Sequence, residues 1–217
     1  MEKESDSTTA FWAKTLEDGS PGISVRDHCF NVGTVAEEMV KRLAENVSSI
    51  APKGSAVLAA CHDIGKISPG FQRKCPKWIE DNVPKCEEGK YVGCETDHAK
   101  VSQWTLQNIF DEDEDLFGWA IAIGAHHGRI KGKRLRKTID IVGSLGESQW
   151  EEQRVKLARE LETRFGELPD FKPSLSKLWW LSGLITVADW VGSDENLFPA
   201  DGSLSDSERT PKATEAL

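Results

Sequence analysis

Ala56-Val57-Leu58-Ala59-Ala60-Cys61-His62-Asp63-Ile64-Gly65-Lys66 is an apolar run that ends abruptly in an imidazole and a carboxylate. Alanine content and apolar spacing over 56–63 predict the last turns of a buried helix, with Gly65 as its stop. An imidazole and a carboxylate buried there are costly unless something pairs them. A metal ion does so, since both side chains are common ligands. A capping aspartate beside a hydrogen-bonded core histidine would satisfy the same two residues, so the remaining histidines decide between the readings.

The chain has five histidines. Leu116 to Ala125 is almost wholly apolar or glycine and ends in His126-His127-Gly128, repeating the design of the first run. His28 falls in the first turn of a helix expected from about Arg26 to Asn46, where Phe30, Val32, Val35, Met39, Val40 and Leu43 keep helical spacing. His98 opens a helix reaching about Phe110. Ser148-Gln149-Trp150-Glu151 reads as a capping box for an amphipathic helix through Leu157, Leu161 and Phe165, stopped by Gly166. Ser174 caps a last helix, Leu175 to Val191, apolar nearly all round and therefore expected at the centre of the fold. Asp189 is the carboxylate marooned in it and needs a cation. The fold class is all-α. One pocket lined by imidazoles and carboxylates explains these placements together. Nitrogen and oxygen ligands without a required thiolate suit Mn, Fe, Co, Ni or Zn. Two ions sharing Asp63, roughly 3.5–4 Å apart, could clamp a phosphodiester.

Formal net charge is −9, which argues against broad, sequence-blind electrostatic binding to nucleic acid but allows a local basic patch. Such a patch is Arg129, Lys131, Lys133, Arg134, Arg136 and Lys137, directly after the paired histidines. The N-terminus lacks the apolar core of a signal peptide. The longest apolar stretch, Leu178–Val191, is interrupted by Ser182 and Asp189 and is too short to span a bilayer. A cytoplasmic protein with no membrane partner is expected, and five cysteines without a regular framework fit reduced thiols. Cys75, Cys86 and Cys94 lie in a polar insertion. With His98 they could close a structural zinc site, although their gaps fit no standard knuckle. Residues 1–10 read as a disordered lead-in, 11–199 as the domain, and 200–217 as a polar tail or interdomain linker.

His28, His62-Asp63-Ile64-Gly65-Lys66, His98, His126-His127 and Asp189 together resemble the HD phosphohydrolase superfamily. Phe11-Trp12-Ala13-Lys14, Phe71-Gln72, Ala125-His126-His127-Gly128 and Ala188-Asp189-Trp190-Val191-Gly192-Ser193 resemble one branch of it, the HD nuclease domain of the type I CRISPR effector helicase–nuclease. The resemblance implies an HD-domain helical bundle with a metal site at its centre. It implies antiviral defence by endonucleolytic cleavage of single-stranded DNA, with one or two divalent ions (Mn, Co, Ni, Fe or Mg). His28, His62, Asp63 and Asp189 would hold one ion. Asp63, His98, His126 and His127 would hold the second. Asp63 and Lys66 would be catalytic, with Lys66 beside the scissile phosphate. Ser193 would be a further contact to Asp189's surroundings or to substrate, while Arg129, Lys131, Lys133 and Arg134 are expected to contact substrate from their position directly after the paired histidines. Implied partners are an ATP-dependent helicase domain or subunit and an RNA-guided CRISPR surveillance complex. The chain has no Gly-x-x-x-x-Gly-Lys-Ser/Thr loop, so the helicase is expected as a separate polypeptide or as a domain from which this one is excised.

Two other functions share these residues. An HD-type phosphohydrolase of small or cyclic nucleotides would use the same metal chemistry. A degenerate HD domain serving as a binding module would not need the full ligand set, which is present.

Overall fold

The structure, a computed structural model, describes residues 10–43, 51–85, 89, 91–110, 116–128 and 143–217. Among them the architecture is all-α with no strand. Two isolated antiparallel bridges, Trp12 to Ser24 and Thr15 to Pro21, fold the N-terminal segment into a strap. The helices are α1 (Val25–Lys41), α2 (Ser55–Ala60), α3 (Pro69–Gln72), α4 (Pro76–Asn82), α5 (His98–Ile109), α6 (Phe117–Ile123), α7 (Ser148–Phe165), α8 (Leu175–Gly192) and α9 (Asp206–Ala216), with a 3-10 segment at Cys61–Lys66.

α1 starts where Ser24 accepts a hydrogen bond from the Asp27 amide at 3.0 Å, a side-chain cap. Its face of Val25, Val32, Val35 and Ala36 is fully buried and packs on α2, α8 and α9. α1 ends at Lys41, short of the expected Asn46, and residues 44–50 lie outside the described ones. Gly192 marks the approach of α8 to α1. A β-carbon there would come within 2.9 Å of Val32 Cγ2, and this closeness brings Asp189 to His28.

The run 56–66 is helical only to Ala60 and then tightens into the 3-10 segment. In a 3-10 helix residues three apart eclipse, so Asp63 and Lys66 stack, with Nζ 2.7 Å from Asp63 Oδ2. Gly65 is required here by close approach and not by its φ. An added β-carbon would lie 2.1 Å from the His98 carbonyl oxygen and 2.4 Å from the Ser102 nitrogen. Its amide instead donates to Ser102 Oγ at 2.9 Å.

Three expectations are corrected. α7 begins at Ser148 with Glu147 as its N-cap and no side-chain cap hydrogen bond, so the expected capping box does not form. α8 buries Leu181, Leu184, Ile185 and Ala188, but Trp179 is 60% and Trp190 71% exposed. It is a one-faced helix, because an all-round apolar composition cannot specify which side packs. α8 is also not the last helix. Residues 206–216, within the stretch expected as tail or linker, form α9, which opens with a capping box of Ser205 and Glu208.

Long-range polar contacts secure the bundle. Gln72 Nε2 donates to the Trp12 and Lys66 carbonyls at 3.0 and 2.9 Å, and Trp12 Nε1 donates to the Gln72 carbonyl at 3.2 Å. Arg154, 1% exposed, donates to Thr105 Oγ1 and to the Ile67 and Leu145 carbonyls at 2.8–3.2 Å. No helix among the described residues is long and apolar enough to cross a membrane.

The Gly65 contact predicts that Gly65→Ala forces α5 away from the 3-10 segment. The expected cost is about 1–3 kcal/mol, as for overpacking elsewhere, or roughly 2–12 °C in Tm at this chain length. Thermal unfolding of the two proteins checks this, and an unchanged Tm would show that the contact is slack.

Candidate metal centre

Two helix ends supply histidines by one device. The last carbonyls of a helix lack partners within it. At the end of α2 the Ala59 carbonyl accepts from His62 Nδ1 at 2.9 Å. After α6 the Ile123 carbonyl accepts from His126 Nδ1 at 2.7 Å. With Nδ1 carrying the proton, each ring turns its Nε2 inward, the arrangement that fits a histidine for a metal.

Both Nε2 atoms face Asp63. His62 Nε2 is 3.3 Å from Asp63 Oδ2 and 3.4 Å from Asp189 Oδ1. His126 Nε2 is 3.4 Å from Asp63 Oδ1. His98, first residue of α5 after the Asp97 cap, places Nε2 3.2 Å from the same Oδ1. His28 in α1 places Nε2 3.0 Å from Asp63 Oδ2 and 3.5 Å from Asp189 Oδ1. His127 stands outermost, its Nε2 3.0 Å from that of His98. His28, His62, Asp63 and Asp189 each bring one ligand atom within 4.8 Å of the others, and so do His98, His126 and His127. The structure thus assembles all the histidines and both carboxylates singled out above. His62, Asp63 and His126 are 0%, 2% and 4% exposed, so access is from the side of His98, His127 and Asp189.

The donor set fits a divalent ion. His62 Nε2, Asp63 Oδ1 and His126 Nε2 are buried without a well-formed hydrogen bond, although they lie close together. Such orphaned atoms are rare unless a ligand completes them, and these converge from both groups on one locus.

Electrostatics point the same way. Burial would push the His62 pKa down, but the Asp63 and Asp189 carboxylates outweigh it and raise the imidazole to about 10. Burial, aided by the Lys66 cation, lowers His28 to about 4 against the pull of Asp63. Burial opposes ionisation of Asp63, yet His62, Lys66 and His98 hold it well below the ordinary carboxylate range. Asp189 is likewise held low, with His62 outweighing burial. At neutral pH a proton on His62 therefore sits between the Asp63 and Asp189 carboxylates, where a cation would be held. Burial raises the thiols of Cys29 and Cys61, the chain neighbours of His28 and His62, and neither belongs to the two ligand groups.

The remaining expected site residues divide. Lys66 is buried and held by Asp63, over the Phe71 ring at 5.4 Å. Ser193 Oγ donates to Asp189 Oδ1 at 3.1 Å, which orients that carboxylate. Arg129, Lys131, Lys133, Arg134, Arg136 and Lys137 lie outside the described residues, as does Cys86. Cys75 donates to the Gly19 carbonyl at 3.5 Å and His98 belongs to the cluster above. The described residues therefore assemble no thiolate-containing metal group. Two contributors were not assigned from sequence. Lys14 donates to the Ser193 carbonyl at 2.6 Å, and the Phe71 ring supports His98 edge-to-face at 5.3 Å. The quoted Phe-Trp-Ala-Lys and Phe-Gln motifs carried that signal without a role.

The protonation state predicts a linked reaction. A divalent ion taking His62 Nε2 must expel its proton, so loading of the group that contains His62 should release about one proton near neutral pH. Apparent affinity should rise with pH until it nears the raised His62 pKa of about 10. Calorimetry in buffers of unlike ionisation enthalpy measures the release. Binding that releases no proton would contradict the assignment.

The family model described as the HD domain of Cas3 matches residues 12–198. The CRISPR-associated nuclease/helicase Cas3 of Streptococcus thermophilus is 27% identical, over 87% of this chain and 25% of that protein. The CRISPR-associated endonuclease/helicase Cas3 of Thermus thermophilus is 26% identical, over 89% and 23%. The chain thus spans about a quarter of the length of these curated relatives. The T. thermophilus Cas3 HD domain crystallised with Ni2+ superposes with a TM-score of 0.61 at 24% identity, covering 96% of this chain and 88% of that one. T. fusca Cas3 superposes with a TM-score of 0.70 at 20% identity, covering 96% and 26%. With the family model spanning 12–198, and with histidines and carboxylates gathered in one pocket, the chain belongs to the Cas3 HD-domain family.

Proposed function

We propose that the domain is a metal-dependent endonuclease that hydrolyses phosphodiester bonds of single-stranded DNA. The observation that carries the reading is the convergence of buried ligand atoms from His62, Asp63 and His126 that lack a well-formed hydrogen bond. His28, His62, Asp63 and Asp189 would hold one ion, and Asp63, His98, His126 and His127 a second. A bound divalent ion supplies Lewis acidity, which activates water and neutralises charge on the phosphodiester. Asp63 keeps the imidazoles in register, and the Nδ1 hydrogen bonds to Ala59 and Ile123 hold two of them in the ligating tautomer. Ser193 orients Asp189. Lys66 adds a positive charge beside Asp63, suited to a phosphate oxygen.

The substrate is argued from fit. The ligands are sunk between helices, with His98, His127 and Asp189 at the opening. A stiff duplex would reach such a pocket poorly, whereas a flexible single strand can enter it. At net charge −9 the overall field repels DNA, so capture would fall to the run from Arg129 to Lys137. The named relatives are nuclease/helicases, so the implied partners are an ATP-driven helicase module and an RNA-guided CRISPR complex that delivers the strand. The near-complete burial of His62 and Asp63 equally favours a small nucleotide or cyclic nucleotide, which keeps that second reading open to the same experiment.

The experiment is cleavage of circular single-stranded DNA with Mn2+, Co2+, Ni2+, Fe2+ or Mg2+, beside duplex DNA and a mononucleotide panel. Cutting of the circle, with little cutting of duplex, is expected. Asp63→Asn should reduce cleavage by more than about 100-fold, since even an outer partner of a ligand is worth 10–100-fold. His62→Ala should abolish cleavage while DNA binding persists. Neutralising the six basic residues of 129–137 should weaken binding and flatten its salt dependence. Turnover of mononucleotides without DNA cleavage under every metal would establish the small-nucleotide reading instead.

A further inference from the structure

Arg209 belongs to α9, outside the residues 12–198 that the family model matches. Its side chain is 3% exposed. Nε donates to Asn31 Oδ1 at 2.8 Å and Nη2 to Asp27 Oδ1 at 2.6 Å. Nη1 pairs with Asp206, and the guanidinium lies over the Phe30 ring at 5.5 Å. Asp27 is tied on its other oxygen to Ser24, the cap of α1, at 2.7 Å. One buried side chain from α9 therefore grips α1 at residues 27, 30 and 31. Asp27 and Asn31 are four apart and share a face, on the flank of His28.

His28 needs such a support more than its neighbours do. His62 and His126 are anchored locally through Nδ1. His28 Nδ1 is buried without a partner, so the ring's reach is set by where α1 itself stands. We propose that Arg209 is a positioning residue for His28, holding the first two turns of α1 so that His28 Nε2 meets Asp63 and Asp189. The inference rests on the metal reading above, and α9 becomes on this account a working part of the centre.

Co2+ titration of the full chain tests it, followed by calorimetry and by the visible bands that report cobalt geometry. Arg209→Met should weaken Co2+ binding about 10-fold, the size of an outer partner's effect, and shift the bands. Arg209→Lys should recover part of the loss. In a His28→Gln background Arg209→Met should have little further effect, since the two act through one ligand. Ala213→Gly is the control. It lies buried in α9 and should lower Tm while leaving Co2+ affinity unchanged. If Arg209→Met changes only Tm, or weakens binding equally with and without His28, the inference is overturned. Should Arg209→Met not fold, Asn31→Ala carries the same cycle, and coupling to His28 below twofold overturns the inference. Failure of the wild type to take up Co2+ would overturn the metal reading and this inference with it, whereas wild-type uptake with unaffected variants overturns this inference alone.

Discussion

An ionised carboxylate buried at the centre of the bundle is the constraint on which the rest depends. Asp63 is 2% exposed, and a buried charge is tolerated only when paired and hydrogen-bonded. Four imidazoles and an ammonium stand within 3.4 Å of its oxygens. They come from α1, the 3-10 segment, α5 and the turn after α6. Packing that would otherwise be a choice among many helix arrangements is narrowed to those that deliver these groups together.

The histidines are held in two ways, and the difference matters for how the centre responds to change. His62 and His126 are fixed by carbonyls three residues earlier, so their aim is a local property of their own helix ends. His28 and His98 are aimed by the placement of whole helices. Distant contacts such as those of Arg209 with Asp27 and Asn31 therefore bear on the former, and the Phe71 ring and Gly65 bear on the latter.

The helical class and the pocket were legible because apolar runs ending in histidine are rare without a chemical reason. Asp189 was conspicuous as a charge in an apolar helix. Other features were not legible. The switch from α2 to a 3-10 segment is set by contact with α5, which local propensity cannot register. α8 looked buried on every side because composition carries no information about which neighbours a helix meets. α9 was hidden by polar residues and by Pro211 inside it, although Ser205-Asp206-Ser207-Glu208 carries the pattern of a helix start. Arg209 carried no signal of its role in the sequence, since its partners Asp27 and Asn31 are far away in the chain.

The meeting of Gly65 with α5 is backbone against backbone, with the His98 carbonyl and the Ser102 amide as the opposing surface. Side-chain interfaces drift readily over evolutionary time, because a larger residue on one helix can be matched by a smaller one on the other. A main-chain contact offers no such exchange, since the partner has no smaller version of itself. Gly65 therefore works as a gauge block between the segment bearing His62 and Asp63 and the helix bearing His98. Substitutions that repack the surrounding core therefore leave the spacing between the two ligand groups set by this contact.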